Sequence, residues 1–520
     1  MAGLIFATGF PPAIADSEEL KTVVPELYIN SVKTVNTFRQ TGRISFGDME
    51  GKVEILFKAP DRIVTNYDLG ELKFSQVYDG KTAWMIDQNG QVLEMTGNEK
   101  QKVINTAYMS GFSYLLPDRI PGKVIFVSDT LLSDTAFRIF EMYPEGGDSI
   151  RVFINSSTGR IELTEEYIDE VMVKTFQEDF RTVQGVEFPF VYRVESTVPQ
   201  LNSTMVFSEL EINPPIPDSV FHLEAASKID YQFPDKQDSV VVPIKFVNGH
   251  IFVMASVNGS KEVYFILDSG AGSNIIDKTY AERQNLPLVG EVASKGVAGY
   301  ETASLTHLDS VRVGQVQLND QTAAVADLST LKLAYPDTIG GLLGYDFISR
   351  FPVRINYSAV NMVLYNPASF HEPDSANAVA IDFLLKIPVV SATIDSVNGR
   401  FLVDLGNSLG LIIHKSFSDK FNLESGFADI KKMGKTLGGI GGDAVAYAAT
   451  GKSFRIGRYT LQNPPLLIAA GNAGVIRSDD VDGNVGNLML MKFDVLFNYS
   501  RREIYLFPND KEVISDSETK

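Results

Sequence analysis

The sequence predicts a mainly β protein in two parts: an antiparallel curved sheet with a helix, then a two-lobed, pseudo-symmetric β domain. Short alternating strands separated by turn residues fill residues 36–224. In the second half, the block at 341–358 recurs at 483–500. The chain of 520 residues also exceeds the size at which one hydrophobic core stops growing. We therefore expect several domains.

Charge and composition restrict the classes of function. Acidic residues outnumber basic ones by 65 to 46, which gives a net charge of −19 and argues against sequence-independent binding to nucleic acid or an anionic membrane. The absence of cysteine excludes disulfides and thiolate chemistry. The five histidines lack His-x-x-x-His spacing, so a metal site is not indicated. We expect no metal, no cofactor and a monomeric chain.

The first residues are similar to an export signal. A short apolar stretch ends in Ala13-Ile14-Ala15, like a secretory cleavage site, but the usual basic segment before it is missing. We interpret residues 1–16 as the remnant of a signal peptide, which predicts export to the bacterial periplasm or cell envelope. The alternative is a frayed terminus or a first strand.

Residues 17–225 are predicted to form the first domain. A helical stretch from Ser17 to Val35 precedes the strands. Asp79-Gly80 and Asn89-Gly90 mark hairpins, because type I′ turns need positive φ at both central residues. A proline-rich and then polar stretch interrupts the pattern and places a linker at 226–238.

Five short motifs follow one another along this domain. They are Gly51-Lys52-Val53-Glu54, Ala59-Pro60-Asp61-Arg62, Tyr78-Asp79-Gly80-Lys81-Thr82-Ala83-Trp84, Gly185-Val186-Glu187-Phe188-Pro189 and Pro217-Asp218-Ser219-Val220-Phe221. Their order resembles the Lol-type lipoprotein-carrier family. The resemblance implies a curved sheet around a helix, with an apolar concave face that holds acyl chains in the family, and hence a lipid or lipoprotein partner. The alternative is a sheet whose apolar face is ordinary core.

The second half contains an internal repeat. Gly341-Leu342-Leu343-Gly344 recurs as Gly483-Asn484-Val485-Gly486, and the residues that follow keep the same offset of 142 positions. Before each block, an apolar strand ends in Asp268-Ser269-Gly270 or Asp404-Leu405-Gly406. The predicted units are a first lobe at 239–370, a second lobe at 371–510 and a polar tail at 511–520.

The repeated Asp-x-Gly turns indicate a chemical role. An apolar strand that runs into a tight glycine turn holds its carboxylate at the end of a rigid element. Two such turns related by pseudo-symmetry can bring Asp268 and Asp404 face to face, where like charges about 3 Å apart share a proton. The ionised member can deprotonate a water while the protonated member donates to a scissile carbonyl. This predicts peptide hydrolysis without a covalent intermediate.

The motif from Leu267 to Ser273, with the Leu-Leu-Gly turn and the duplication, resembles the retropepsin and pepsin class of aspartic peptidases, specifically bacterial retropepsin-like proteins. The resemblance implies an aspartic endopeptidase with the catalytic pair Asp268 and Asp404, loop support from Ser269, Gly270 and Gly406, and a flap over the substrate at Gly296, Ala298, Gly299 and Tyr300, with Gly439 and Ile440 as its counterpart. For the flap segments, the alternative is an ordinary flexible loop.

The second lobe departs from the family pattern at two positions. Leu405 occupies the place of an expected Ser or Thr, and Asn484 occupies the first hydrophobic position of the late turn. Both changes lie in one lobe, so either the dyad is asymmetric or this lobe has kept the fold and lost catalysis. For Asp404, and less so for Asp268, the alternative is a structural carboxylate that caps its own turn.

Three functions follow from these observations. The first is an aspartic endopeptidase with a protein or peptide substrate, recruited or sensed by the first domain. The second is an inactive, peptidase-like protein that binds peptides. The third is a lipid or lipoprotein carrier. Adjacent carboxylates favour the first, separated carboxylates or a water site obstructed by Leu405 favour the second, and an open apolar cavity in the first domain favours the third.

Overall fold

A computed structural model describes residues 17–168, 171–222, 228–296, 299–332, 335, 339–439, 442–470, 480–509 and 513–515. Strands dominate, which confirms the predicted mainly β class. The predicted signal remnant at 1–16 lies outside the described residues. Within the described ranges, no helix is both long enough and apolar enough to cross a bilayer.

The amino-terminal sheet is an antiparallel meander of 13 strands. The strands are β1 Thr37–Phe46, β2 Met49–Lys58, β3 Arg62–Leu69, β4 Leu72–Tyr78, β5 Ala83–Ile86, β6 Val92–Met95, β7 Gly122–Leu132, β8 Thr135–Pro144, β9 Ile150–Asn155, β10 Ile161–Ile168, β11 Val171–Val183, β12 Val186–Ser196 and β13 Ser203–Ile212. Strand β1 lies between β2 and β13, so the two ends of the meander meet in the middle of the sheet.

In the described part of this domain, the α-helices that accompany the sheet are α1 Ser17–Val23, α2 Glu26–Val32 and α3 Gly97–Ser110. The single helix predicted over residues 17–35 is thus divided into two. Pro25 explains the break, because proline lacks an amide proton and disfavours helix at the preceding residue. Helix α3, which the sequence analysis did not place, contacts β3, β4, β5 and β8 and is the helix around which the sheet curves.

The two lobes repeat one series of elements, as the duplicated sequence predicts. Lobe 1 contains β14 Tyr231–Gln232, β15 Ser239–Val247, β16 His250–Val257, β17 Val263–Leu267, β18 Ile275–Asp277, α4 Lys278–Arg283, β19 Val289–Lys295, β20 Tyr300–Val313, β21 Val316–Ala326, α5 Ser329–Lys332, β22 Ile339–Leu343, α6 Tyr345–Ile348, β23 Val353–Asn356 and β24 Asn361–Tyr365. Lobe 2 contains β25 Ala378–Leu384, β26 Ile387–Ile394, β27 Val397–Asp404, β28 Leu411–His414, α7 Lys415–Lys420, β29 Ala428–Gly439, β30 Gly442–Thr450, β31 Ser453–Ile456, β32 Tyr459–Gln462, β33 Pro465–Ala470, β34 Gly483–Gly486, α8 Asn487–Leu490, β35 Phe493–Asn498, β36 Glu503–Pro508 and β37 Val513–Ser515.

Two short strands fall in segments that we predicted to be a linker and a tail. Strand β14 lies within residues 226–238 and pairs with β21. Strand β37 lies within residues 511–520 and pairs with β32. Both segments therefore add a strand to a lobe.

An antiparallel sheet joins the lobes, in the order β15-β24-β23-β35-β36-β25. Its central pair is β23 and β35, where Val353 lies opposite Phe497 and Ile355 opposite Val495. Above this sheet, one hydrophobic core runs through both lobes and includes the fully buried Phe401. The relative position of the two Asp-x-Gly turns is thus fixed by shared backbone pairing and a common core.

The turn between β5 and β6 docks the amino-terminal domain onto both lobes. Asp87 in this turn accepts a hydrogen bond from Lys386 of lobe 2 (2.6 Å). Asn89 accepts from the backbone N–H of Thr322 in lobe 1 (2.8 Å). Leu93 of β6 packs into the core of the lobes. Buried polar and apolar contacts together hold the domain in place.

Candidate active site

Each aspartate of the predicted pair follows a buried strand. Strand β17 runs parallel to β22, and the backbone N–H of Asp268 donates to the Leu343 carbonyl (2.9 Å). Strand β27 runs parallel to β34 in the same way, with Asp404 opposite Gly486. The residues before each aspartate are almost fully buried, as in Leu267. The two turns therefore start from rigid, equivalent supports.

The structure brings the two carboxyl groups close together across the lobe interface, near enough for the charge of Asp404 to raise the pKa of Asp268. Gly270 and Gly406 make this approach possible. A Cβ added to Gly270 would lie 2.3 Å from Asp404 Oδ1, and one added to Gly406 would lie 2.2 Å from Asp268 Oδ1. Each glycine thus leaves room for the carboxylate of the opposite lobe.

The hydrogen bonds to the two carboxyls differ. Asp268 accepts from the Gly270 N–H (2.8 Å). Asp404 accepts from the N–H groups of Gly406 (2.8 Å) and Asn407 (3.1 Å), and also from Asn484 Nδ2 (2.8 Å). Asp404 therefore caps its own turn, as the structural alternative requires, and faces its partner aspartate as well.

The surroundings raise the pKa of Asp268 well above its ordinary value. Desolvation by the closely packed protein atoms is the main cause, and the negative charge of Asp404 adds to it, whereas the Gly270 N–H opposes the shift. Both causes disfavour the charged form of the carboxyl. Asp268 therefore holds its proton more tightly than a free aspartate does.

Ser269 joins the two turns. Its hydroxyl, which is buried, donates to the Val403 carbonyl (2.8 Å) and accepts from the Leu405 N–H (2.9 Å). Leu405 has no hydroxyl to return this bond. Its carbonyl instead accepts from Asn487 Nδ2 (2.5 Å), at the start of α8. The Asn487 side chain, which belongs to lobe 2 itself, thus supports the turn at the position where the family has a Ser or Thr hydroxyl.

Two further polar residues support lobe 2 from lobe 1. The hydroxyl of Tyr357 donates to Asn487 Oδ1 (2.7 Å), which orients that amide. His250 Nε2 bonds to the carbonyl of Gly406 (3.0 Å), while its Nδ1 bonds to the hydroxyl of Tyr335. Burial lowers the pKa of His250 and favours its neutral form. These contacts support the backbone carbonyls of Leu405 and Gly406.

The residues predicted for the flap lie at the ends of two hairpins. Gly296 donates from its N–H to the Gly299 carbonyl (2.8 Å), and Tyr300 begins β20. Gly439 ends β29 and pairs with Gly442. The other two predicted flap residues, Ala298 and Ile440, lie outside the described residues. The role of these hairpins in covering a substrate stays a prediction.

Several site residues were not identified from the sequence. Asn484 was noted only as a lost hydrophobic position, and nothing in the sequence indicated that its amide meets Asp404. His250, Asn487 and Tyr357 act across elements that are distant in the chain, so no local motif could reveal them. In the part of the chain that the structure describes, no group of three or more His, Asp or Glu side chains is placed to hold a metal ion.

The geometry agrees with comparisons to known proteins. A family model described as aspartyl protease matches residues 253–347 and 390–488, one segment in each lobe. The two lobes match the aspartyl protease family. This match confirms the resemblance drawn from the Asp-x-Gly motifs, and each matched segment of the aspartyl protease-like lobes contains one of the two aspartates. No curated protein matches the chain.

Three solved structures are similar to parts of the chain. A DUF1329 family protein from Desulfovibrio piger is 14% identical, with 40% of this chain and 95% of that chain covered and a TM-score of 0.30. A LolA superfamily protein from Nitrosomonas europaea is 13% identical, with 41% and 99% covered and a TM-score of 0.29. A retropepsin-like aspartic protease from Rickettsia conorii is 22% identical, with 24% and 88% covered and a TM-score of 0.18.

Proposed function

We propose that the chain is an aspartic endopeptidase that hydrolyses peptide bonds with a water activated by Asp268 and Asp404. The observation that carries this proposal is the contact between two carboxyls, one from each lobe, across two glycines without side chains. The raised pKa of Asp268 supports it further, because general acid and base catalysis requires one protonated and one ionised group.

The position of Leu405 favours this function over that of an inactive peptide-binding protein. Its side chain is fully buried in the core shared by the lobes. The Leu405 N–H donates to the Ser269 hydroxyl, and the Leu405 carbonyl accepts from Asn487 Nδ2. The backbone at Leu405 is therefore held from both lobes although its side chain carries no hydroxyl, which supports the proposal.

Cleavage of a mixed peptide library from pH 3 to 8 tests the proposal. In Asp268→Asn and Asp404→Asn, we expect kcat/KM to fall by about 10²- to 10⁴-fold, the contribution of a positioned acid or base. Asp309→Asn, at a side chain that is 84% exposed, is the matched control and should cleave like the native chain. A native chain that binds peptides without cleaving them would favour the inactive peptide-binding function instead.

The amino-terminal domain is proposed to recruit or sense the substrate through an apolar group. Its cavity of about 140 Å³ is lined by Tyr28, Phe112, Phe188 and Tyr192, among others. This volume is close to that of a cavity known to hold benzene, and well below the roughly 300 Å³ at which drug-sized sites begin. It favours a small apolar group over a whole carried lipid. Calorimetric titration with short-chain fatty acids should detect binding that Phe112→Trp abolishes; equal heats for both chains would contradict it.

We also propose that the chain is exported to the periplasm or cell envelope. The support for this is the ending of the first apolar stretch, which is similar to a secretory cleavage site. Cell fractionation of the full-length chain measures this directly. Recovery in the cytoplasmic fraction alone would contradict it.

A further inference from the structure

An asparagine in lobe 2 occupies the position of a leucine in lobe 1. Asn484 and Leu342 are related by the offset of the repeat, and their strand registers agree. Leu342 lies opposite Ile266 in β17, and Asn484 lies opposite Leu402 in β27. Ile266 and Leu402 each stand two residues before the aspartate of their lobe. One structural position therefore holds an apolar side chain in lobe 1 and an amide in lobe 2.

The direction of the Asn484 amide is set by a chain of hydrogen bonds. The backbone N–H of Leu409 donates to Asn407 Oδ1 (2.9 Å), so that the amide nitrogen of Asn407 points the other way. This nitrogen donates to Asn484 Oδ1 (2.9 Å), which leaves Asn484 Nδ2 to donate to Asp404 Oδ2 (2.8 Å). Because a backbone N–H can only donate, the whole chain has one consistent orientation.

We propose that Asn484 is a positioning residue that keeps the negative charge of the dyad on Asp404 and the shared proton on Asp268. The inference rests on the proposed peptidase function and assigns a separate role to each carboxyl within it. Both aspartates accept backbone N–H groups of their own turns. Of these two aspartates, only Asp404 also accepts from a side-chain amide of a described residue. A donor stabilises the charged form of a carboxyl, so this one difference breaks the symmetry.

Three other titratable groups lie near Asp404, and each is consistent with a negative charge on Asp404 and a proton on Asp268. Asp268, from lobe 1, has a pKa raised by burial and by the charge of Asp404, which keeps its proton in place. His250, from the first hairpin of lobe 1, has a pKa lowered by burial, which favours neutral imidazole. Tyr499, after β35, has a pKa raised well above its ordinary value by burial, so its hydroxyl stays neutral. None of them replaces the Asn484 donor.

With this assignment, Asp404 is the base and Asp268 the acid. As the water oxygen bonds to the carbonyl carbon, Asp404 takes a proton from the water and Asp268 gives its proton to the carbonyl oxygen. When the resulting diol collapses, Asp404 passes its proton to the amide nitrogen as the C–N bond breaks. Asp268 recovers a proton from a diol hydroxyl. One water is consumed, and the dyad returns to its initial charge.

Asn484→Leu, which copies lobe 1, tests the assignment. Loss of the donor destabilises ionised Asp404, so its titration midpoint should rise by about 1 to 2 pH units, the equivalent of one hydrogen bond to a charged group. The acid limb of the pH profile of kcat/KM, measured with a cleaved library peptide, should rise by the same amount. The basic limb should stay in place, because Asp404 is already ionised when Asp268 loses its proton.

Three further variants separate positioning from folding. Leu342→Met changes the matching position of lobe 1 at similar volume and should move neither limb. Asn484→Ser keeps one donor and should recover part of the shift. Asn407→Ala frees the Asn484 amide and should give a smaller shift in the same direction as Asn484→Leu. Urea unfolding of each variant verifies that the chain is folded.

A titration of the carboxyls by ¹³C NMR provides a readout that needs no turnover. The chain carries aspartate labelled at the side-chain carboxyl, and the Asp404 signal is assigned by its loss in Asp404→Asn. A raised Asp404 midpoint in folded Asn484→Leu supports the proposal. An unchanged midpoint overturns it, whether or not the chain cleaves peptides. A raised midpoint in a chain whose native form is inert would refute the peptidase function and leave the charge assignment standing.

Discussion

Lobe 1 and lobe 2 each hold an aspartate in an Asp-x-Gly turn of the same kind, but the residues around the two aspartates differ. In lobe 1, the hydroxyl of Ser269 crosses the interface and bonds to the backbone of lobe 2. In lobe 2, the matching Leu405 gives nothing in return, and the polar groups lie on Asn484 and Asn487 instead. Side chains of both lobes thus support the turns, Ser269 from lobe 1 and Asn487 from lobe 2, whereas among the described residues the side-chain donor to an aspartate of the pair comes from lobe 2.

The turn of the first hairpin in each lobe also reaches the opposite lobe. In lobe 1, this turn contains Gly249, where an added Cβ would lie 2.1 Å from the Ser408 carbonyl oxygen. In lobe 2, the matching turn contains Lys386, and the neighbouring Leu385 carbonyl lies 2.6 Å from a Cβ added to Gly272. Close packing is thus conserved between the two turns, while the side chain at the turn is not.

Lys386 makes the second turn a three-way junction. Its amine contacts Asp87 of the amino-terminal domain (2.6 Å) and approaches Asp346 of lobe 1 (3.9 Å). All three side chains are largely buried. Burial opposes the charge of Asp87, yet the positive charge of Lys386 outweighs it and lowers the pKa of that carboxyl. The amino-terminal domain is therefore tied to the lobes by a buried ion pair between Asp87 and the lysine of lobe 2.

The largest expected stability effect comes from breaking this junction. Lys386→Met leaves Asp87 buried without its partner, which should lower the free energy of unfolding by about 3 to 5 kcal/mol. Urea unfolding measures the loss. Lys415→Met, at an exposed pair with Asp419, is the matched control and should cost about 0 to 1 kcal/mol. Equal losses in the two variants would contradict the role of the junction.

The lobes differ again at the start of their first helices. In lobe 1, Asp277 caps α4 and accepts from the Tyr280 N–H (2.9 Å). In lobe 2, the buried His414 precedes α7. Within the described residues its side chain accepts from no N–H of that helix, and its Nδ1 bonds instead to the Val481 carbonyl. Burial lowers the pKa of His414 to about 4. The unfolded chain therefore binds a proton at this histidine before the folded chain does.

This difference predicts a pH-dependent loss of stability. As pH falls from about 6.5 to about 4, only the unfolded state gains the His414 proton, so the group should remove about 3 kcal/mol of unfolding free energy. His414→Asn should lack this loss. The measurement is urea unfolding of both chains at pH 7 and pH 4. The raised pKa of Asp268 increases the unfolding free energy as pH falls, but this effect is the same in both chains. Parallel decreases in the two chains would contradict the prediction.

The sequence predicts those features that are local or duplicated. The repeat locates both turns, and the Asp-x-Gly pattern identifies Asp268 and Asp404 because strand and turn signals lie next to each other in the chain. Helix α3 was missed because it lies among strand signals and its buried face is carried by few residues, such as Val103 and Tyr108.

Features that join distant elements could not be predicted in this way. Lys386 and Asp87 are separated by 299 positions. Asn484 has a matching position in lobe 1, so the repeat revealed that it is unusual. The direction of its amide depends on Asn407 and Leu409, and this information exists only in the folded chain. Polarity at an expected apolar position therefore looked like a lost function.

The most direct test of the account is peptide cleavage by the native chain, Asp268→Asn and Asp404→Asn, compared between pH 3 and 8. We expect cleavage by the native chain and its loss in both variants, because each lobe supplies one half of the proposed dyad. Cleavage that persists in Asp404→Asn would show that lobe 2 takes no part in the chemistry and would contradict the account.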